Sequence, residues 1–276
     1  MLSDPVLTHR PEDGWDIPLL VWRARSPLRA VSSGPLGGGV GVRHWVVNAT
    51  VPMSYSRDDP AAHLAALADR LGLDGPGVGL LTGVDVAEVM TRTDTGVRAW
   101  VTVGLGTPLW AAAPDQPTAP APPRAPAPPR APAPPRAPAP PRAPAPPGTP
   151  APLQAPAQPG TPAQLQAPAP AQVPGPARVG TVNIVVYVPA ALGDAALVNA
   201  VATATEAKCQ AIGELGLPGT GTPTDAVTVL CPPVGRAEPY GGPRSAWGAP
   251  LARVVHAAVR DGGSVPCVPW SQRRSC

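Results

Sequence analysis

A proline-rich block in the middle of the chain limits what the rest can fold into. Residues 119–142 are four copies of APAPPR, and a fifth copy ends in Gly148. Proline fixes its backbone φ and lacks an N–H group, so this block cannot enter the interior of a helix or sheet. We therefore treat residues 114–178 as an insertion, which leaves about two hundred residues, ample for a hydrophobic core.

The repeat has two interpretations. Polyproline II has about three residues per turn, so a six-residue period places the repeat arginines on one side of the rod; these are Arg124, Arg130, Arg136 and Arg142. We expect a disordered, polyproline-II-like segment that acts as a spacer. The alternative is a docking rod for a partner with an aromatic-lined groove.

The position of the block indicates how the chain is organised. RAWVTVGLG (98–106) precedes it and GTVNIVVYVP (180–189) follows it, and both sequences are typical of strands. Surface connections tolerate long insertions because the entropy of loop closure grows only logarithmically with length. We therefore expect one domain made of residues 1–113 and 179–260, with a flexible tail at 261–276, rather than two domains joined by a linker.

The remaining sequence alternates between strand-like and helix-like segments. In the first helix-like segment, Asp59 is a suitable N-cap and Pro60 suits the first helical position. The pattern predicts an α+β (mixed α/β) fold, with a mainly antiparallel sheet packed by a few helices. Further strand-like segments lie at 17–25, 27–33, 43–51, 79–82 and 224–231, and helix-like segments at 59–73, 197–216 and 245–260.

Charge and composition argue against several classes of partner. The net charge is +3, but five arginines lie in the insertion, so the folded remainder is close to neutral and carries no basic cluster for nucleic acid. Residues 1–16 lack the regions of a signal peptide, and no apolar run has the length of a membrane span. We expect a cytoplasmic protein with no membrane partner and with reduced thiols; homo-oligomerisation stays open.

The helix-like segment 197–216 has an unusual distribution of polar residues. Asn199, Thr203, Glu206 and Gln210 form one polar stripe, and Lys208 lies on the opposite, apolar side. The stripe is either a solvated face or the wall of a cleft. Lys208 either extends its stem along apolar surface to reach water or pairs with an acid such as Asp225 or Asp85. Asp194 and Gly216 are suitable N-terminal and C-terminal caps for this helix.

A glycine-rich segment, SSGPLGGG (32–39), follows a strand. Its glycines allow backbone N–H groups to approach a ligand, although a tight turn explains them equally well. It is not a phosphate-binding P-loop, because no GK[ST] follows. Ser32 and Ser33 are candidate nucleophiles, with His44 or His256 as a base only where the fold brings them near. The spacing of His and Cys predicts no metal site.

Eight segments, taken in order, resemble the adenosylcobinamide amidohydrolase family. The resemblance covers residues 20–112 and 179–260 and leaves out the proline-rich block. The segments are RAVSSGPLGGG (29–39), WVVNATVP (45–52), GVGLLTGVDV (77–86), VGLGTP (103–108), GTVNIVVYVP (180–189), LVNAVATATEAKCQA (197–211), GTGTPTDAVTVLCP (219–232) and YGGPRSAWGAPLARVVHAAV (240–259).

The resemblance implies an enzyme of corrinoid salvage. Such enzymes hydrolyse the amide between aminopropanol and the corrin ring of adenosylcobinamide, and the product, adenosylcobyric acid, re-enters cobalamin synthesis. The corrinoid is then the substrate, and no cofactor is expected. A corrinoid-binding protein without hydrolytic activity, or a scaffold that acts through the proline-rich rod, are the alternatives.

Our hypothesis for the site assigns roles by side-chain chemistry. Amide hydrolysis needs an activated nucleophile, a donor for the oxyanion and a proton for the leaving amine. Glu206 or Asp225 would act as the base, with water, Ser32 or Ser33 as the nucleophile. Lys208 or the backbone of Gly37, Gly38 and Gly39 would hold the oxyanion. The substrate-binding set is completed by Asn48, Asn183 and Asn199, whose amides match those of a corrin, and by Thr82, Asp85 and Thr203.

Overall fold

One eight-stranded sheet organises the residues that the computed structural model describes, namely 1–12, 14–113, 180–266 and 268–271. The strands are β1 (Val6–Glu12), β2 (Trp15–Ser32), β3 (Gly39–Thr50), β4 (Val78–Thr82), β5 (Met90–Asp94), β6 (Val97–Leu105), β7 (Gly180–Tyr187) and β8 (Ala226–Cys231). The helices are α1 (Pro60–Arg70), α2 (Asp194–Glu214) and α3 (Gly248–Gly263), and Val86–Glu88 form a 3₁₀ turn.

The sheet is mixed but mainly antiparallel. Its strand order is β4-β3-β2-β8-β7-β6-β5, and β1 pairs with β2 off this path. The β3–β4 and β7–β8 pairs are parallel, and the other pairs are antiparallel. With three helices packed on this sheet, the protein is α+β, as the sequence pattern predicts.

The strands on either side of the proline-rich block are neighbours. β6 pairs antiparallel with β7 over eight residue pairs, from Arg98–Tyr187 to Leu105–Gly180. The sequence-based expectation of adjacent flanking strands is therefore correct. The predicted polyproline-II-like insertion at 114–178 lies outside the described residues.

A bend in β2 folds the sheet over itself. The two strands expected at 17–25 and 27–33 are one strand, whose register against β3 shifts between Arg23 and Leu28. Pro27 lies at this shift, where its missing N–H group costs no ladder hydrogen bond. Before the bend β2 pairs with β1 and the end of β3, and after it β2 pairs with the start of β3 and with β8.

The folded sheet encloses one core and supports two others. Trp22 of β2 and Trp100 of β6 meet edge to face, 6.1 Å apart, within the core between the two halves of the sheet. A second core packs α2 and α3 against β5–β8, and a third packs α1 against β2–β4. The result is a four-layer arrangement of helix, sheet, sheet and helix.

The helix ends differ in part from the expected caps. Asp59 precedes α1, and Pro60 is its first residue, but the Asp59 side chain makes no capping hydrogen bond. Asp194 does not cap α2 as expected: Gly193 occupies the cap position, and Asp194 pairs instead with Arg29. Gly216 follows α2 with a φ of +71°, the left-handed conformation that favours glycine.

The C-terminal segment is partly structured. α3 continues to Gly263, three residues into the segment expected as a flexible tail from 261. Trp270 is buried, contacts Trp15 edge-on at 5.6 Å and donates its backbone N–H to the Gly83 carbonyl. Residues 267 and 272–276 lie outside the described part of the chain. Among the helices described, none combines the length and apolar character needed to cross a membrane.

Candidate functional site

Lys208 and Asp225 form an ion pair at the interface of α2 and β8. The Lys208 Nζ atom lies 2.5 Å from Asp225 Oδ2, and the two side chains are only 8% and 11% exposed. From the sequence, Lys208 was expected either to reach water along apolar surface or to pair with an acid such as Asp225 or Asp85, and the structure shows the second arrangement, with Asp225. The other candidate, Asp85, instead accepts a hydrogen bond from the Ala87 N–H.

Lys208 has a second distinction. It is the only lysine in the chain, because every other residue among the 21 Lys and Arg is arginine. Lysine presents a compact ammonium with three rotatable donors, which the planar guanidinium of arginine does not reproduce. A buried single lysine in a chain that otherwise uses arginine points to a specific chemical requirement, and this signal was available in the sequence.

Asp225 is held by four hydrogen-bond donors. Oδ1 accepts from the Val182 N–H at 2.8 Å and the Thr222 hydroxyl at 2.5 Å. Oδ2 accepts from the Thr222 N–H at 3.0 Å and from Lys208. A carboxylate has about four lone-pair sites, so none is left for a substrate proton. In this arrangement Asp225 orients Lys208 and fastens α2, β7 and the 219–224 loop together.

The 219–224 loop has no room for a side chain at position 221. A Cβ on Gly221 would lie 2.5 Å from Asp225 Oδ2 and 2.6 Å from Lys208 Nζ. The Leu109 N–H donates to the Gly221 carbonyl, and Thr224 Oγ donates to the Gly180 carbonyl. Leu109, which precedes residues 114–179, and Gly180, which follows them, therefore both pack beside this loop.

The pair can act on a carbonyl oxygen. Among the described residues, Asp225 is the hydrogen-bond partner of Lys208 Nζ, which uses one of its three N–H donors. A buried ammonium held in a fixed orientation stabilises a developing oxyanion more strongly than one in water. The geometry thus suits Lys208 as an electrophilic donor and Asp225 as the residue that positions it.

The two serines lie nearby in the sheet but are not joined to a base. Ser32 Oγ lies 2.8 Å from Thr228 Oγ1 and accepts the Gly34 N–H, while Ser33 Oγ accepts the Val227 N–H. Within the described ranges, neither hydroxyl is hydrogen-bonded to a carboxylate, an imidazole or Lys208. A serine nucleophile needs such a neighbour for activation.

The candidate histidine bases lie elsewhere. His256 on α3 is 2.9 Å from Glu214 Oε2. His44 on β3 packs against Gly75, since a Cβ atom added to Gly75 would lie 3.2 Å from the His44 ring. Neither histidine is placed beside Ser32 or Ser33.

The glycines of the 32–39 segment make a tight turn. Gly37 and Gly39 have φ values of +69° and +80°, and a Cβ on Gly37 would overlap the Gly77 carbonyl. The carbonyls of Gly37 and Gly38 accept hydrogen bonds from the Arg43 guanidinium. These contacts explain the glycines by backbone conformation and packing, which is the turn interpretation of this segment.

Two of the predicted asparagines are buried between the halves of the sheet. Asn183 donates to Asn48 Oδ1 and to the Leu81 carbonyl, both at 2.9 Å, and Asn48 donates to Thr102 Oγ1 at 3.1 Å. Asn183 Oδ1 is buried without a hydrogen-bond partner in the described structure. These amides therefore bind one another in the interior and leave one free acceptor.

Thr82 and Asp85 shape the end of β4. Thr82 Oγ1 accepts the Val84 N–H at 3.3 Å. Asp85 precedes the 3₁₀ turn and caps it through the Ala87 N–H. Asp85 also borders a cavity of about 370 Å³ that is lined by Glu88 and Met90. Both side chains have local structural partners, and neither contacts the Lys208–Asp225 pair.

The polar stripe of α2 faces α3. Thr203 is buried and donates to the Gly241 carbonyl at 2.9 Å, whereas Asn199 and Glu206 are exposed. Thr203, Glu206 and Gln210 line a groove of about 260 Å³, opposite Arg253 and His256. The stripe is thus the wall of a groove, on the side of α2 away from Lys208. Glu206 and Lys208 do not share one site.

A charged cluster beside α1 was not predicted from the sequence. Arg10 Nε donates to Glu12 Oε2 at 2.7 Å, and Tyr55 Oη lies 3.1 Å from His63 Nδ1. Burial lowers the pKa of His63, and the charge of Glu12 opposes this shift. Burial raises the pKa of Glu12, but Arg10, His63 and Arg57 outweigh it and lower that pKa overall. The sequence feature that could have revealed this cluster is His63, a histidine on the apolar face of α1.

Cys209 and Cys231 are free cysteines in the described structure, and the partly exposed Cys209 thiol donates to the Thr220 carbonyl at 3.0 Å. Burial raises the pKa of the Cys231 thiol, which disfavours the thiolate form of a reactive nucleophile there. Reduced thiols throughout the chain stay a prediction. No group of three or more potential metal ligands occurs among the described residues.

Comparison with known proteins gives a consistent set of relatives. A family model described as adenosylcobinamide amidohydrolase matches residues 5–266, which include all the strands and helices above. A Halobacterium salinarum protein named adenosylcobinamide amidohydrolase is 46% identical over 82 residues, covering 29% of this chain and 35% of that protein. A Methanosarcina mazei protein of the same name is 23% identical over 247 residues, covering 86% of this chain and 91% of that protein.

Proposed function

The chain belongs to the adenosylcobinamide amidohydrolase family, and from this premise we propose that it hydrolyses adenosylcobinamide. The bond cleaved is the amide that joins aminopropanol to the corrin ring. Water adds across this bond to give adenosylcobyric acid and 1-amino-2-propanol, and the acid re-enters cobalamin synthesis. The observation that carries the proposal is the family match over residues 5–266, on both sides of the insertion.

Lys208 is the group that we assign to the scissile carbonyl. One of the two N–H donors that are not used by Asp225 would bind the carbonyl oxygen and stabilise the oxyanion of the tetrahedral intermediate. Asp225 is a positioning residue in this proposal, because its four bonds fix the direction of the ammonium. The Lys208 ammonium already lies beside Gly221, so this role requires no change in the backbone there.

Water is the nucleophile that we favour over serine. The hydroxyls of Ser32 and Ser33 are engaged with Thr228 and with backbone N–H groups, so an acyl-enzyme would first require both networks to break. Glu206 lies in the groove between α2 and α3 and takes no part in bond cleavage in this proposal. Thr203 lines the same groove, and Asn199 lies beside it on α2. We assign these two residues to binding the periphery of the substrate.

A corrinoid-binding protein without hydrolytic activity is the second candidate. It is favoured by one observation: in the described structure, Asp225 is saturated and neither Ser32 nor Ser33 is bonded to a base. Such a protein would bind adenosylcobinamide and release it unchanged.

Incubation of the purified full-length chain with adenosylcobinamide in the dark tests the two candidates. Mass spectrometry should detect the corrinoid carboxylate together with an equal amount of aminopropanol. Lys208→Met should lower the formation of both products by about 10² to 10³, while Glu206→Gln, which changes a carboxylate on the other side of the same helix, should keep turnover. Binding without product in the unmodified chain would establish the second candidate instead.

A further inference from the structure

We propose that the cavity beside α1 is a binding site for a small oxyanion, of the carboxylate or phosphate class. The cavity has a volume of about 220 Å³ and is bordered by Arg10, Glu12, Tyr55, Arg57 and His63. It lies on the face of the sheet that α1 covers, whereas Lys208 and Asp225 lie where α2 covers the sheet. The inference does not depend on the hydrolytic function proposed above.

The hydrogen bonds of Arg10 carry the inference. This side chain is only 7% exposed, which is rare for an arginine unless its guanidinium is fully paired. Nε donates to Glu12 Oε2 at 2.7 Å and Nη2 donates to the Thr50 carbonyl at 2.9 Å. Nη1 is buried and has no hydrogen-bond partner in the part of the chain that the structure describes.

An unpaired, buried guanidinium nitrogen on a side chain that borders a cavity is a donor available to a ligand with acceptor atoms. Buried polar groups in folded proteins are nearly always paired, and a bound ion is one explanation for an exception. A second polar atom at the same cavity has the same property: His63 Nε2 is buried without a hydrogen bond, 3.4 Å from Glu12 Oε1.

The charges around the cavity favour an anion. Among the described residues, Arg10 and Arg57 pair with one carboxylate, Glu12, whose two oxygens already accept from or approach both arginines. His63 adds no positive charge near neutral pH, because burial lowers its pKa. The balance of Arg10, Arg57 and Glu12 is one positive charge, which a monovalent oxyanion would neutralise. Asp59 and Arg70, whose charges also reach this cluster, offset each other.

The geometry favours an oxyanion over a metal cation or an apolar ligand. A metal would be repelled by the two guanidinium groups, and Glu12 has no oxygen free of them. An apolar group would leave Arg10 Nη1 and His63 Nε2 unpaired. Guanidinium N–H donors match carboxylate and phosphate oxygens in both length and direction. The size of the cavity limits the ligand to a small ion or to the charged end of a larger one.

Calorimetric titration of the full-length protein with inorganic phosphate and, separately, with acetate tests the site at constant ionic strength. We expect one equivalent of at least one probe to bind, and the preferred probe tells a tetrahedral from a planar oxyanion. Arg10→Gln should weaken binding by about tenfold or more, since a buried charge-assisted hydrogen bond is lost. Arg253→Gln, a control in an exposed ion pair on α3, should not change it.

A second pair of variants keeps the test decisive if Arg10→Gln does not fold. Ser56 is exposed and borders the same cavity. Ser56→Glu places a carboxylate at the mouth and should abolish anion binding, while Ser56→Gln, of equal size without charge, should preserve it. The proposal is overturned if neither probe binds the unmodified protein, or if Ser56→Glu and any folded Arg10→Gln bind as tightly as the unmodified protein.

Discussion

Lys208 Nζ and Asp225 Oδ2 lie 2.5 Å apart in the layer between α2 and the sheet, and both side chains are almost entirely buried. Taking two charges out of water is costly, and a buried ion pair seldom stabilises a fold more than apolar residues of the same volume would. The pair is therefore better explained by what its ammonium can do than by a contribution to stability.

Substitution of Lys208 should separate charge from shape. Lys208→Met keeps most of the stem and removes all three donors, and loss of an oxyanion donor lowers kcat by about 10² to 10³. Lys208→Arg keeps the charge, but its planar guanidinium does not reproduce the compact ammonium beside Asp225, so its activity should stay below that of the unmodified protein. The measurement is aminopropanol release under saturating adenosylcobinamide. Wild-type turnover in Lys208→Met would remove this residue from the mechanism.

Asp225→Asn should destabilise the fold as well as reduce activity. Asparagine offers an NH₂ group where Asp225 now accepts hydrogen bonds, and a broken buried ion pair costs about 3–5 kcal/mol. Urea unfolding followed by circular dichroism gives the free energy of unfolding. Asp94→Asn, which breaks an exposed pair with Arg253, should lower the free energy of unfolding far less. Equal effects of the two substitutions would contradict the buried pairing.

The double variant Lys208→Met/Asp225→Asn gives a sharper measure of the same contact. Each single substitution leaves a buried group without its partner, whereas the double substitution removes both charges. The double variant should therefore be less destabilised than the sum of the single variants. Strict additivity would indicate that the two side chains do not interact in solution.

Two glycine substitutions near α2 should have opposite effects on stability. A Cβ on Gly221 would meet Asp225 and Lys208 within 2.6 Å, so Gly221→Ala should lower both stability and turnover. Gly213, inside α2, has nothing within 4 Å of its Cβ position. Gly213→Ala should raise the free energy of unfolding by about 0.5–1 kcal/mol, because alanine is the better helix former. Thermal unfolding of both variants checks the pair.

Stability should fall on acidification through His63. Its folded-state pKa is lowered from 6.5 by burial, so the unfolded chain binds the proton more readily. The contribution of His63 is therefore complete above pH 6.5 and is lost as pH falls toward the folded-state pKa. His63→Gln should flatten the decline between pH 7 and 5 in the free energy of unfolding, measured in urea at each pH. An unchanged slope would show that another group causes the decline.

The single lysine offers a direct spectroscopic reading of the site. Labelling with [¹³Cε]lysine should give one side-chain signal, because no other lysine is present in the chain. Addition of adenosylcobinamide should shift this signal if the ammonium binds the scissile carbonyl, and Asp225→Asn should shift it without substrate. If the chemical shift of this signal does not change at saturating substrate, the corrinoid binds away from Lys208.

The sequence supports predictions of local elements and of one long-range contact. The Asp59–Pro60 start of α1 follows from backbone chemistry, and the pairing of β6 with β7 follows from the position of the insertion. The Lys208–Asp225 contact was one of two arrangements left open by the sequence, because a charge on an apolar helix face either reaches water or pairs with an acid. In each case a local rule constrains the structure directly.

The arrangement of the sheet depends on contacts that no local pattern encodes. β1 was not predicted, because HRPE is polar and contains a proline, yet Arg10 is buried beneath α1. Alternation along β3 and β7 places Asn48 and Asn183 on defined faces, but only the bend in β2 turns those faces toward each other. The separation of Glu206 from Asp225 likewise depends on how α2 packs between α3 and β8.

The antiparallel ladder of β6 and β7 means that the peptide chain between them is not needed to hold the two parts of the protein together. Lys208, Asp225, Thr222 and Val182 all belong to the segment after residue 180, while β1–β6 belong to the segment before residue 114. Eight residue pairs and the enclosed tryptophan core join these segments. The described residues before 114 and after 179 therefore form one folded unit, in which strand pairing and core packing between the two segments hold the sheet together.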